Sequence, residues 1–369
     1  MLWLIKGLGP GGAEQLLVNH AEVRDRDRFD IEAAYLVPWK NHLVPRLENA
    51  GVRTVCLNGP REWDLRWAIR LRRRLIDRPV DVIHLHSPYV AGVTRVMTRT
   101  LPRRLRPALV YTEHNRWPRH SRATRLLNRL TIQLDDVDLS VSSDVRSTMP
   151  ADVAREVEVL EHGVVVDELR DLVEHRNDVR AELGIPSDDI VFGTVANFRR
   201  EKAYEVMLEA GRIAISSGLP LRFVSVGQGP LESEMRKLHD ELGLEDRFQL
   251  LGYREDAVRV MSAFDVFTLS SRHEGLPVSL MEALALGLPV VATAAGGLPD
   301  AITDGVEGLL VPIDDPAALA AAYVEVARNP AQRRSMADAA RQRAPDFDIT
   351  VAARRLEEIY ADRALKRAR

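Results

Sequence analysis

Short apolar runs alternate with longer amphipathic stretches along the whole chain, and this alternation leaves few folds open. A strand covered on both faces reads as an unbroken apolar run, and the helix that carries the chain to a parallel neighbour reads at helical period. Repeated, the two give a parallel sheet with helices on both faces. In the first half the runs fall at 2–5, 31–36, 52–57, 82–85, 109–112 and 139–141. The pattern restarts at 190–195 and continues through 222–226, 248–251, 266–269, 289–292 and 308–311, so two sheets are expected. A chain of 369 residues has room for two cores. Between the sheets, 166–187 is charged and contains Gly184 and Pro186, as a connection would. The expected division is a first domain at 1–165, a linker at 166–187, a second domain at 188–345 and a closing helix within 346–369. That helix shows in Val351, Ala352, Leu356, Ile359 and Tyr360 at helical spacing.

Composition excludes some functions. A formal net charge of -3 gives no general attraction to nucleic acid. Cys56 is the only cysteine, so there is no intrachain disulfide and no cysteine-based metal site, and a reducing compartment fits. The apolar start at 2–5 is too short for a signal-peptide core, and no run approaches the roughly 20 residues of a membrane span. A cytoplasmic protein is expected, with a place on the inner face of the plasma membrane left open. The charge is nonetheless uneven, with ten arginines against the single acid Glu113 between Arg95 and Arg129. Arg116, Arg119, Arg122, Arg125 and Arg129 recur every three or four residues, which stacks them on one side of a helix while Leu126, Leu127 and Leu130 face elsewhere. Such a face suits anionic lipid or an anionic acceptor, or is simply solvated.

The stretch 271–304 places two carboxylates where a purely structural sequence would have none. Pro277 and Gly287 bracket a helix at 278–286, apolar nearly all round, with Glu282 inside it and Glu274 just before it. A buried carboxylate needs hydrogen-bond donors, and Ser279 is the only polar neighbour one turn back. Both acids read as aimed at one hydroxyl-rich guest.

Three further segments follow strands. The run from Gly7 to Glu14 opens a helix at 13–21 and suits close backbone approach to a phosphate or sugar. Its Gly7, Gly9 and Gly12 match a dinucleotide fingerprint by coincidence, and no acidic residue closes the second strand. At 195–202, Arg199, Arg200 and Lys202 crowd positive charge at a helix start, a poor arrangement without an anion. His114 ends a first-half strand, where open parallel sheets bind ligands, and can hydrogen-bond a sugar or orient a proton transfer. His84 and His86 share a face of another strand and, with Ser87, line the same region. No carboxylates accompany them at metal-ligand spacing.

These residues resemble one family. From FVSVGQGPLESEM through FQLLGYREDAVRVMSAFDVFTLSSRHEGLPVSLMEALALGLPVVATAAGGLPDAITDGVEGLLVP, the second half is similar to the donor-binding domain of glycosyltransferase family 4, retaining enzymes of the GT-B fold. Glu274 and Glu282 match the two ends of that family's E-x7-E motif. GPGGAE, the EHN around His114 and LSVSSDVRS extend the resemblance into the first half. The resemblance implies an α/β GT-B architecture, two Rossmann-like domains facing across a cleft, with the C-terminal helix returning to the first domain. It implies a nucleotide-sugar donor held mostly by the second domain, a glycan or glycolipid acceptor of a bacterial envelope, and no metal or other cofactor. Glu282 would accept from the ribose hydroxyls, and Glu274, with the backbone N–H groups of Gly275 and Leu276, would hold the sugar. Lys202 would meet the diphosphate, with Asn197 and Gly227 in the same donor site. Gly11, Gly12 and His114 would reach the donor from the first domain. Family members often carry arginine where this chain has Asn197, which passes that charge to Arg199; His162 stands where the family has asparagine. Retention is ascribed to same-face attack, with the leaving phosphate taking the proton. A UDP-sugar epimerase of the same fold and a non-catalytic sugar-nucleotide-binding partner subunit are the alternatives.

Overall fold

The structure, a computed structural model, describes residues 1–59 and 64–368. The chain forms two compact units, Met1–Val164 with Asp348–Arg369, and Val165–Phe347. Each is built on a parallel sheet.

The first sheet has seven strands: β1 (Leu2–Ile5), β2 (Glu32–Tyr35), β3 (Arg53–Cys56), β4 (Val82–Leu85), β5 (Ala108–Glu113), β6 (Val137–Ser140) and β7 (Glu158–Val159), in the order β3-β2-β1-β4-β5-β6-β7. The strand order reverses between β1 and β4, so the loops after both strands open at the carboxyl edge where such sheets hold ligands. Strand alternation sends side chains to opposite faces. Leu2, Leu4, Ile83, Leu85 and Tyr111 pack with Trp67, Leu71 and Leu75 of the helix Arg66–Asp77 and with Val90, Ala91 and Met97 of the helix Pro88–Arg99. Trp3, Ile5, Ala33 and Tyr35 face the other way, onto Leu17, Val18 and Ala21 of the helix Gly12–Val23.

The helix Ile349–Ala368 belongs to this first unit. It begins where Ile349 N–H donates to Val164 O at 2.9 Å. Tyr360, fully buried, places its hydroxyl 2.6 Å from Nδ1 of His84 on β4. The closing helix expected within 346–369 is thus Ile349–Ala368.

The second sheet has six strands, β8 (Ile190–Val195), β9 (Leu221–Val226), β10 (Phe248–Leu250), β11 (Val266–Leu269), β12 (Val290–Thr293) and β13 (Gly308–Val311), ordered β10-β9-β8-β11-β12-β13. Its order reverses between β8 and β11. Phe192, Phe223, Phe248 and Tyr323 form a chain of ring contacts with centroids about 5 Å apart across β8, β9 and β10.

Two expectations need revision. Strand β7 was not anticipated: it is two residues long at the sheet edge, and Glu158 interrupts any apolar run. The segment 166–187 is helical, with Val166–Asp171, a 3-10 turn Leu172–His175 and Arg176–Glu182, and it lies within the second unit. Its charge misled the reading because the partners are distant in sequence. Arg176 and Arg180 grip the two oxygens of Asp265 at 2.5 and 2.6 Å, and Arg180 also donates to the carbonyls of Ala263 and Asp189.

Candidate functional site

In the second unit the loops after β8, β9, β11 and β12 open at one edge of the sheet. After β8 the chain turns through Ala196 to Arg199 and a 3-10 turn Arg200–Lys202, then enters the helix Tyr204–Ile215 through Ala203 at φ 46°. This left-handed residue is held by Ser270, whose hydroxyl donates to the carbonyls of Lys202 and Ala203 at 2.8 and 3.0 Å. Lys202 is thereby directed at the loop after β11. Its Nζ lies 2.6 Å from Oε1 of Glu274, which also accepts from the Ser271 hydroxyl at 2.5 Å. Glu274 is buried, and the lysine supplies the counter-charge that makes this tolerable.

The glycines after β12 shape the same place. A Cβ on Gly296, at φ 56°, would lie 1.9 Å from the Glu274 carbonyl oxygen, and one on Gly297 would lie 2.4 Å from that of Gly275. Only glycine lets the two loops meet so closely. Thr293 completes the join by donating to Ser271 O at 2.6 Å. Beyond Glu274, the backbone N–H groups of Gly275 and Leu276 take no partner among the described residues, and the helix Val278–Ala285 follows. Glu282 is buried within it, surrounded by Leu280, Met281, Ala283, Leu284 and Ala285. Pro277 immediately precedes the helix, and Gly287 at φ 71° follows its end.

Asn197 is half-buried in the β8 loop, and Gly227 crosses beside it: a Cβ there would lie 2.0 Å from Ala196 O. Arg199 and Arg200 are exposed, with no side-chain partner among the described residues. Surface pairing of this cluster with Glu201 and Glu205 is the other use of its charge; Glu205 pairs with Arg272 at 2.7 Å, and Lys202 with Glu274. The exposed guanidinium groups of Arg199 and Arg200 stand beside a lysine–carboxylate pair and two buried or half-buried polar loops, a constellation suited to an anionic ligand rich in hydroxyls. Sequence reading named Lys202, Glu274 and Glu282; it missed Ser270, Ser271, Thr293 and Gly296. The Ser270-Ser271 pair at a strand end was the one available signal.

In the first unit, histidines collect at the carboxyl edge of the sheet. His84 is locked between Tyr360 and Thr112, its Nε2 2.7 Å from the threonine hydroxyl. His86, one residue beyond β4, has Nδ1 3.1 Å from Nε2 of His114, one residue beyond β5. His162 stacks on His114 at 5.9 Å between centroids and 12° between planes. His20 lies between Trp3 and Tyr360. Burial drives all five imidazoles toward the neutral form, His20 and His114 to about 3 and His162 to about 4, with His84 and His86 well below the usual value. Glu113, beside His114, is fully buried and accepts from the Tyr111 hydroxyl at 2.7 Å and the Asn115 N–H at 3.1 Å. Gly11 precedes the helix Gly12–Val23, and its carbonyl accepts from Gln15 N–H at 2.9 Å.

The arginine stripe is corrected. The helix spans Arg122–Thr131 only, because Pro118 lies in a separate 3-10 turn and Ser121 caps the helix by accepting from Thr124 N–H at 3.1 Å. Arg116 precedes both elements and sits 3.4 Å from Asp144, while Arg129 pairs with Asp152 at 2.6 Å. Leu126 and Leu130, expected to face away from the arginine side, are 60% and 71% exposed.

Two parallel-sheet units with these topologies, and a last helix that returns to the first unit, define a GT-B fold. A HepE protein of Anabaena solved with UDP and glucose has this fold too, matching 98% of both chains with a TM-score of 0.83 at 21% identity. Residues 10–168 match the model of glycosyltransferase family 4, and residues 175–343 that of the glycosyl transferases group 1. The chain belongs to this family of glycosyltransferases. It is 34% identical over 175 residues to the amylovoran biosynthesis glycosyltransferase AmsK of Erwinia amylovora, a match covering 45% of this chain and 43% of that one. The chain thus spans less than half the length of that relative. It is 22% identical over 372 residues to the UDP-Gal:α-D-GlcNAc-diphosphoundecaprenol α-1,3-galactosyltransferase of Escherichia coli, covering 95% and 94%.

Proposed function

We propose that this protein transfers a sugar, with retention of configuration, from a nucleotide-sugar donor to a glycan or lipid-linked acceptor of the bacterial cell envelope. The observation that carries the reading is the pair Lys202–Glu274 at 2.6 Å, on glycine-shaped loops beside the helix that buries Glu282. On this reading Glu282 accepts from the ribose hydroxyls. Glu274 and the open N–H groups of Gly275 and Leu276 hold the sugar. Lys202 and Arg199 meet the diphosphate and offset its charge as it leaves, the electrostatic form of catalysis, so no metal is invoked. Asn197 and Gly227 line the donor site on the second unit, and His114, Gly11 and Gly12 are proposed ligand contacts of the first unit. A uridine nucleotide is favoured because the Anabaena protein was solved with UDP. A lipid-diphosphate acceptor is favoured by the name of the Escherichia coli relative.

The protein works in the cytoplasm, resting on the inner face of the plasma membrane through the first unit. No helix among the described residues is long and apolar enough to cross a membrane. The support for surface binding is the outer side of the helices that cover one face of the first sheet. Leu126 and Leu130 are exposed there beside Arg122 and Arg125, and Leu65, Ile69 and Ile76 are exposed among Arg66, Arg70 and Arg73. Aliphatic and basic residues interleaved in this way suit an anionic interface.

A melting-temperature series with UDP-, GDP- and ADP-sugars tests the donor, since a ligand of the folded state raises apparent stability. UDP-glucose is expected to stabilise the protein, and Glu282→Ala to remove most of that gain while Glu274→Ala mainly slows transfer. Wild-type rates in both variants refute the assignment. Interconversion of UDP-sugars without acceptor points to the epimerase, and tight binding without turnover to a non-catalytic subunit. Sedimentation with phosphatidylglycerol vesicles tests the surface: binding is expected to fall with salt and on replacing Arg119, Arg122 and Arg125 by glutamine. Unchanged sedimentation returns these helices to a solvated role.

A further inference from the structure

His86 and His114 stand at the ends of neighbouring strands, and one hydrogen bond joins their rings, from Nδ1 of His86 to Nε2 of His114 at 3.1 Å. Between neutral imidazoles one nitrogen brings the proton and the other a lone pair, so the direction of this bond fixes both tautomers. The remaining nitrogens decide the direction. Nε2 of His86 is closed off from solvent with no partner among the described residues. A proton on that atom would strand an N–H in the interior. As with backbone groups, an orphaned buried N–H is the rarer defect; an under-satisfied acceptor occurs somewhat more often. With the proton on Nδ1, the N–H of His86 goes into the bond and only a lone pair is left over. His114 is better placed to hold a second group, since its ring is half-buried and its Nδ1 takes no hydrogen bond among the described residues.

We propose that His86 is a positioning residue which donates from Nδ1 to Nε2 of His114, so that His114 carries its own proton on Nδ1 and offers a ligand an N–H, not a lone pair. The surroundings hold this arrangement in place. The His84 ring lies 4.0 Å from that of His86 and is itself fixed by Tyr360 and Thr112, while His162 stacks on His114. His114 then donates to a hydroxyl oxygen or to developing negative charge, and it does not take the proton of an attacking hydroxyl. Its use in transfer rests on the proposed reading of His114 as a sugar contact; the tautomer does not.

Long-range proton–nitrogen correlation spectra of the whole protein labelled with 15N-histidine read the tautomer directly, with the His114 signals identified by their loss in His114→Gln. The expected result at neutral pH is a protonated Nδ1 and a bare Nε2. His86→Asn keeps an amide N–H near the position of Nδ1 and is expected to preserve the tautomer and UDP release from UDP-glucose. His86→Leu is expected to lower that release about tenfold or more, the scale on which loss of an orienting partner weakens a histidine, with a melting temperature like that of His86→Asn. A wild-type spectrum with the proton on Nε2 of His114 overturns the proposal even if neither variant folds. Wild-type release and tautomer in His86→Leu overturn it as well. Undiminished release in His114→Gln refutes the sugar contact instead, and the spectrum still judges the tautomer.

Discussion

The histidines of the first unit make its stability depend on pH in a calculable way. Burial lowers His20 and His114 from 6.5 to about 3 and His162 to about 4, so in the folded protein they stay neutral where the unfolded chain takes up protons. Their contribution is intact above pH 6.5 and is lost progressively as pH falls from there to about 4 for His162 and about 3 for His20 and His114. One pH unit below 6.5, each costs on the order of 1 kcal/mol, and the three together a few kcal/mol. That is a large part of the roughly 5 to 15 kcal/mol that holds a domain together. His84 and His86 shift in the same direction. Trp3, Trp39, Trp67 and Trp117 fall in the first unit and the sequence of the second unit, 165–347, has no tryptophan, so fluorescence does not report the second unit. Urea unfolding followed by fluorescence at about pH 7.5 and about pH 5.5 should therefore show a marked loss of stability, while a circular-dichroism transition of the second unit moves less. Carboxylates titrate too, and His20→Phe separates the effects. Phenylalanine keeps the ring between Trp3 and Tyr360, and Nε2 of His20 has no partner to lose. It should remove on the order of 1 kcal/mol of the pH dependence. The reasoning fails if the fluorescence transition is equally stable at both pH values, or if His20→Phe leaves its pH dependence untouched.

Lys202→Met should cost about 2 kcal/mol by leaving Glu274 buried without its cation. Adding Glu274→Gln should restore most of that stability without restoring transfer, as urea unfolding and UDP release would show. Gly296→Ala should destabilise the second unit by more than about 2 kcal/mol and abolish UDP-glucose turnover, because its Cβ would collide with Glu274 O. Gly184→Ala, also at positive φ but with nothing within 4 Å, should cost about 1 kcal/mol and leave turnover intact.

The strands were readable because β1, β4, β8 and β11 are buried and so are mostly apolar, with His84, Thr194 and Thr268 as the polar exceptions. The arginines of 166–187 gave the opposite impression, since composition cannot reveal that Arg180 is answered by Asp265, 85 residues on. Much of the candidate site has this character. Lys202 and Glu274 each stood out for their local setting, yet their contact spans 72 residues, and His84 meets Tyr360 across 276. The arginine stripe failed for a local reason: a spacing of three and four residues was extended through Pro118, where the backbone changes from one helical turn to another.

The place of the helix Ile349–Ala368 has a consequence for synthesis. A ribosome that has made residues 1–347 has delivered every residue of the second unit but only part of the first. The pocket that His84, Trp3 and His20 form around Tyr360 stays unfilled until the last stretch emerges. Domains usually mature in the order they are translated. Here the unit begun first is the one finished last, and its apolar surface waits, open to chaperones and proteases, for a segment made after its neighbour is complete.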